Sequence, residues 1–228
     1  MAVSFLRHSG FVNPDILSIP MSIIGVGATG SNIALLAAKM GFTHFKIWDP
    51  DIVESHNLPN QTYDSEHVGQ PKVAALTEVL KRFNPGIKVE SIQDYFTTEN
   101  HKKDLEGILI VTVDTMSARK DILESMKFNW RLKAIFETRL GFSHGEAWYL
   151  HPMDLEKIEL WESTLKNDDE IDDGPCNMQM CSTLVYPVVG YVVHMACKIL
   201  SAEEKQEVWT PLMRKTFMLE DDLQVFNK

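Results

Sequence analysis

The sequence predicts an α/β fold, a mainly parallel sheet with helices on both faces, followed by a crossover loop and a buried C-terminal helix. Three observations lead there. Apolar, strand-like runs alternate with segments of helical period from Met21 to Phe136. A glycine-rich turn joins the first strand to the first helix. At 228 residues the chain has the size of one large domain, and its 44% hydrophobic content can fill a sizeable core.

Residues 1–20 carry Gly10, Asn13, Pro14 and Pro20 and read as a loop-rich N-terminal arm. The first strand, Met21-Ser-Ile-Ile24, meets Gly25-Val-Gly27-Ala28-Thr-Gly30 and then a helix-compatible run to Met40, which Gly41 stops. His44-Phe-Lys-Ile-Trp48 alternates as a second strand and ends at Asp49, completing a βαβ unit. Residues 72–82 then have helical period, 87–92 and 108–113 are strand-like, 117–127 helical and 133–136 strand-like, and 145–150 fit a strand. The acidic stretch 167–174 has no apolar face, and residues 160–181 are expected to form the crossover loop. The apolar run 184–200 is interrupted by Pro187, Gly190, His194 and Lys198. It falls short of the ~20 clean apolar residues of a membrane span and is expected as a buried helix. Residues 202–228 read as a polar tail with apolar anchors at Trp209, Leu212 and Phe217.

Charge and cysteine content narrow the setting. With 32 acidic against 22 basic side chains the net charge is -10, which repels a phosphate backbone, so no nucleic-acid partner is expected. The three cysteines, Cys176, Cys181 and Cys197, are too few for a disulfide framework, and no cationic signal segment opens the sequence. A cytoplasmic protein with no membrane partner is expected.

The glycines carry the first chemical signal. Gly25 permits a tight turn, Gly27 lets a phosphate approach the backbone, Gly30 lets helix and sheet pack closely, and the helix N-terminus attracts the anion. Asp49, 19 residues beyond Gly30, is placed to bond ribose hydroxyls. This pattern predicts a Rossmann-like nucleotide site without distinguishing a dinucleotide from ATP.

The following residues separate the two. Asp49-Pro-Asp51-Ile-Val-Glu-Ser-His-Asn57-Leu-Pro-Asn60-Gln61, then Gly69-Gln-Pro-Lys72, then Val111-Thr-Val-Asp114-Thr-Met-Ser-Ala-Arg119, occur in that order. Together they resemble the signature of the ThiF/MoeB/HesA family, the ubiquitin-activating-enzyme-like adenylyltransferases, over about half the chain. The resemblance implies ATP with Mg2+ and adenylation of the C-terminal carboxylate of a ubiquitin-like or sulfur-carrier protein. It implies that Gly25, Gly27, Ala28 and Gly30 cradle phosphates and that Asp49 takes the ribose with Asp51 nearby. Asn57 and Gln61 would line the phosphate region, Lys72 would contact the phosphates, and Asp114 would hold the magnesium. Arg7 matches an N-terminal arginine presented to the γ-phosphate across a dimer interface, which implies a homodimer.

Departures from the family pattern accompany these matches. Asn60 stands where the family places arginine, which removes a cation from the triphosphate site. Three scattered cysteines cannot supply the two Cys-x-x-Cys pairs of zinc-binding members, so no zinc is expected. Cys181 is the candidate to accept the activated acyl group as a thioester, although Asp168, Asp169, Glu170, Asp172 and Asp173 nearby disfavour a thiolate. His56 reads as a loop histidine. Two alternatives stay open at this point: a relative that binds nucleotide or partner without catalysis, motivated by Asn60, and an NAD-dependent oxidoreductase, for which the glycine loop alone speaks.

Overall fold

The computed structural model describes residues 3–141, 143–167, 182–219 and 223–227. Eight strands form a single sheet: β1 (Met21–Ile24), β2 (His44–Trp48), β3 (Lys88–Ile92), β4 (Gly107–Val111), β5 (Leu132–Leu140), β6 (His144–Leu150), β7 (Arg214–Leu219) and β8 (Leu223–Asn227). Their order is β3-β2-β1-β4-β5-β6-β7-β8. The first five are parallel, and β6, β7 and β8 add antiparallel strands to that edge.

Alternation along the central strands divides the core in two, because successive side chains leave opposite faces of a sheet. Met21 and Ile23 of β1, Ile108 and Ile110 of β4, and Ala134 and Phe136 of β5 face α1 (Ala28–Met40), α2 (Lys72–Phe83) and α6 (Ser182–Glu204). Ile24, Leu109, Val111 and Ile135 face the other layer, built from α4 (Met116–Met126) and α5 (Leu155–Glu162), with the one-turn α3 (Thr98–His101) beside α4. Both faces are covered, in keeping with the burial of every residue of β1 and β4.

Helix α6 is 23 residues long, more than the apolar run alone suggests, because its ends are polar. It is long and apolar enough to cross a membrane by length and composition, yet its buried face packs against α1 and strands β5, β6 and β7. The arm before β1 contributes to the core through Val12 and the fully buried Leu17.

Two expectations are corrected. The region read as a polar tail contains β7 and β8, in which Phe217 is buried while every residue of β8 is exposed. A strand held at an edge by backbone pairing needs no apolar face, so its sequence carries no alternation signal. The expected start of the crossover loop at residue 160 lies inside α5, which runs to Glu162 and buries Ile158 and Trp161. Its apolar residues, Leu155, Ile158, Leu160 and Trp161, span only about two turns, too short a helical period to show this.

Candidate functional site

The carboxyl ends of β1, β2 and β4 carry the candidate site, where open α/β sheets bind ligands. The glycine loop begins at Gly25, whose φ of 87° lies in the left-handed region that favours glycine. Thr112, just beyond β4, braces it: the Thr112 hydroxyl donates to the Gly25 carbonyl at 2.6 Å. A Cβ on Gly30 would stand 2.0 Å from the Gly25 oxygen, so helix and loop touch only because that atom is missing. Gly27 differs. The nearest atom to a Cβ there is Gln61 Nε2 at 4.0 Å, and α1 begins immediately afterwards with no side chain capping its N-terminus. The space above Gly27, Ala28 and Gln61 therefore offers open backbone donors and the positive end of a helix dipole.

Asp49 closes the floor of the site. It is buried, its Oδ2 accepts from the Val26 N–H at 2.7 Å, and its Oδ1 accepts from the Asp51 N–H at 2.9 Å. Burial pushes its carboxyl above the ordinary 3.8, opposed by the positive charge of Lys72 and by the two backbone donors. The Tyr63 hydroxyl, buried behind the loop, donates to the Val26 carbonyl at 2.7 Å. Burial raises that phenol well above its usual range, with the Asp49 and Asp51 charges adding to it, so it stays a donor.

Lys72 opens α2 and is almost fully covered. Its Nζ lies 2.7 Å from Asp51 Oδ2, and its N–H donates to the Asp51 carbonyl at 2.9 Å. The segment after Asp51 is pinned to the segment before α2 by Val53 N–H to Gln70 and Gly69 N–H to Val53. These residues shape a cleft of about 230 Å³ lined by Asp51, Ile52, Glu54, His56, Asn57 and Lys72. Asn57 Oδ1 caps the short turn at Glu54. Asn60 is held in the structure: its carbonyl accepts from Asn32 Nδ2 at 2.9 Å, and its side-chain oxygen meets the Ser182 hydroxyl at the start of α6. Gln61 Oε1 is buried with no hydrogen-bond partner among the described residues.

Asp114 stands in the turn between β4 and α4, exposed, two residues beyond the Thr112 that braces the glycine loop. It does not line the Lys72 cleft. Its main chain is held by Arg119, which is buried and bonded to Glu137. Glu137, Arg139 and Trp161 were not foreseen, although a buried arginine in the Asp114 to Arg119 segment calls for a carboxylate somewhere.

Arg7 is not brought to this site. It is exposed in a short turn next to Phe5, whose ring lies against Gly41 at the far end of α1. A helix of 13 residues separates that end from the glycine loop by about 20 Å at 1.5 Å per residue. Cys176 and Cys181 lie outside the described residues. Cys197 is buried in α6, where burial pushes its thiol up to about 12, which leaves it inert.

ATP-dependent ubiquitin transferase-like protein Cap2 of Enterobacter hormaechei subsp. hoffmannii is 31% identical over 141 residues, covering 59% of this chain and 23% of the relative. Ubiquitin-like modifier-activating enzyme 5 of Drosophila melanogaster is 25% identical over 209 residues, covering 79% of this chain and 49% of the relative. The chain thus spans between about a quarter and about a half of the length of these relatives. The crystal structure of Escherichia coli MccB with ATP superposes with a TM-score of 0.70 at 16% identity, covering 94% of this chain and 65% of that one, which shows a shared fold. The ThiF family matches residues 8–226, nearly the whole length, and this chain belongs to the ThiF family.

Proposed function

We propose that this chain is an ATP-dependent adenylyltransferase that activates the C-terminal carboxylate of a small ubiquitin-like or sulfur-carrier protein. The observation that carries the reading is the buried Asp49 carboxylate, with Lys72 paired to Asp51 two residues on, next to an uncapped helix N-terminus and an open Gly27. An acid for the ribose, a cation and phosphate-accepting N–H groups then converge at the sheet's carboxyl end. Family membership, relatives named as activating enzymes and an ATP-containing MccB of the same fold support it.

In the reaction an oxygen of the acceptor carboxylate attacks the α-phosphorus. The bond from that phosphorus to the bridging oxygen breaks, and pyrophosphate leaves with the electron pair, which yields an acyl adenylate. Two anions must approach, so the residues that matter reduce repulsion and fix alignment. Asp49 holds the ribose, the N–H groups that open α1 after Gly27 orient the phosphates, and Lys72 turns from Asp51 to neutralise them. Asn57 and Gln61 complete the phosphate wall.

Among the described residues no cluster of three or more metal-binding side chains exists. Magnesium takes one or two carboxylates and shares the nucleotide phosphates. Asp114 would hold it, and bound there it would offset phosphate charge. A homodimer supplies Arg7 from the second copy, and Cys181 is the candidate acyl acceptor, in a reducing cytoplasm.

A second reading, a relative that binds nucleotide or partner without catalysis, is favoured by Asn60, whose side chain is tied to Ser182 in the arginine's place. Thermal unfolding with MgATP, MgADP or NAD, on wild type, Lys72→Ala and Asp114→Ala, tests the nucleotide site. Ligand at 100 times its dissociation constant stabilises by about 2.7 kcal/mol. MgATP stabilisation that both substitutions weaken supports the proposal; a response to NAD alone overturns it. ATP–pyrophosphate exchange with an acceptor then separates catalysis from mere binding.

A further inference from the structure

Glu137 is completely buried in β5, and one carboxylate there serves three donors. Its Oε1 accepts from Arg119 Nε at 2.7 Å, its Oε2 accepts from Trp161 Nε1 at 3.0 Å, and Arg139 Nε is shared between the oxygens at 3.2 and 3.0 Å. Two guanidinium groups thus rest on a single carboxylate, in a strand whose Ile135 belongs to an apolar cluster. Ion groups buried this way seldom stabilise a fold more than apolar residues of the same size would. Their position is what distinguishes them.

The far side of Arg119 shows what they position. Arg119 Nη1 donates to the carbonyl oxygens of Asp114 at 3.2 Å and Thr115 at 3.0 Å, and its Nη2 donates to the Thr138 carbonyl at 3.3 Å. A planar fork with fixed donors sets both distance and direction, which a lysine cannot do. The turn carrying Asp114 is thereby bracketed to β5, and β5 through Glu137 to α5. Asp114 itself is exposed, so its own packing does little to fix it.

We infer that Glu137 is a positioning residue for Asp114, acting through Arg119 and holding the turn so that the Asp114 carboxylate meets the metal–phosphate group at a set height. The inference rests on the reading in which Asp114 holds magnesium. Glu137→Gln keeps the volume and one acceptor oxygen but removes the charge, leaving Arg119 and Arg139 to repel each other.

The test is the magnesium concentration that gives half the full thermal stabilisation at saturating ATP, measured beside the stabilisation by ATP in EDTA. For Glu137→Gln the magnesium midpoint rises about tenfold or more, as for other groups that orient metal ligands, while the response to ATP in EDTA matches wild type. Arg119→Lys shifts the midpoint similarly, and the double variant adds little, because both act along one path. A lower melting temperature with an unchanged magnesium midpoint means a structural role only and overturns the proposal. Should Glu137→Gln fail to fold, Glu137→Asp keeps the charge, and an unshifted midpoint there together with an unshifted Arg119→Lys overturns it equally. Asp114→Asn separates the two layers of the argument. A shift there without a shift in the Glu137 variants rejects the positioning role alone, and no shift in Asp114→Asn rejects the metal assignment and the positioning role together.

Discussion

Lys72 Nζ and Asp51 Oδ2 stand 2.7 Å apart at the mouth of the candidate nucleotide cleft, with the lysine side chain only 9% exposed and the aspartate 59%. The cation is therefore already engaged, and a triphosphate must win it from Asp51. Asp51→Asn is expected to lower stability by about 1 kcal/mol, since the pair is half in solvent. It is also expected to tighten MgATP binding several-fold, because Lys72 no longer has to be released. Lys72→Ala has the opposite effect on binding. Isothermal titration of both variants with MgATP checks the pair of signs, and weaker binding by Asp51→Asn would show that Asp51 helps the nucleotide rather than competing with it.

The two inner glycines are predicted to fail in different ways. On Gly30 a Cβ would fall 2.0 Å from the Gly25 carbonyl oxygen and 2.6 Å from Thr112 Oγ1. Backbone cannot retreat cheaply, so Gly30→Ala is expected to cost about 3 kcal/mol or more, at the upper end of overpacking effects. On Gly27 a Cβ has room, the nearest atom being 4.0 Å away. Gly27→Ala is expected to keep the stability within about 0.5 kcal/mol of wild type while losing most of the MgATP response, because the added methyl stands where a phosphate would approach. Thermal scans with and without MgATP separate these outcomes.

The pH dependence of the site follows from Asp49. Its carboxyl is raised above 3.8 in the folded state, chiefly by burial, so the folded chain holds that proton more tightly than the unfolded chain. Stability then falls as pH rises from 3.8 through the raised value, because over that window the native state binds more protons. Nucleotide affinity runs the other way, since a carboxylate accepts a ribose hydroxyl's hydrogen bond better than a neutral acid does. Melting temperatures from pH 4 to 7 should show the ligand-free slope reduced in Asp49→Asn and the MgATP increment of wild type growing across the same window.

Cysteine chemistry makes a simple forecast. With its thiol pushed up to about 12, Cys197 carries on the order of one thiolate in ten thousand molecules at pH 8 and lies inside α6. Iodoacetamide on the folded protein is expected to leave Cys197 unmodified, with Cys197 reacting after denaturation. Peptide mass mapping reads this directly, and rapid labelling of Cys197 would mean that α6 opens locally.

Much of the nucleotide half was legible in the sequence, for a physical reason. Strands β1 and β4 are buried on both faces and so are apolar except for Ser22, and the loop between β1 and α1 needs glycine where a Cβ would collide. Constraints of that kind are local and leave a mark at the residue concerned. The antiparallel half was less legible. In β8 all five residues are exposed, and in α5 only Ile158 and Trp161 are buried. The pairing of Arg119 with Glu137 joins residues 18 apart in sequence on different elements, and nothing in the local pattern of either announces the other. Arg7 was legible as a motif but not as a position.

Arg7 neighbours Phe5 at Gly41, the opposite end of α1 from the glycine loop, about 20 Å away along the helix. No arginine side chain spans that gap, so within one copy Arg7 cannot touch the phosphates bound at Gly27. If it acts in the reaction, a second copy must present it. Arg7→Ala and Lys72→Ala are each expected to abolish adenylation, and mixing the two inactive variants should restore up to about a quarter of wild-type activity. Random pairing makes half the dimers mixed, and each mixed dimer contains one site with both residues intact. Recovery that rises with protein concentration along with dimer formation supports the arrangement in trans. Absence of recovery in a mixture shown by sedimentation to have exchanged subunits would count against it, and an Arg7→Ala variant with full activity would remove Arg7 from the site altogether.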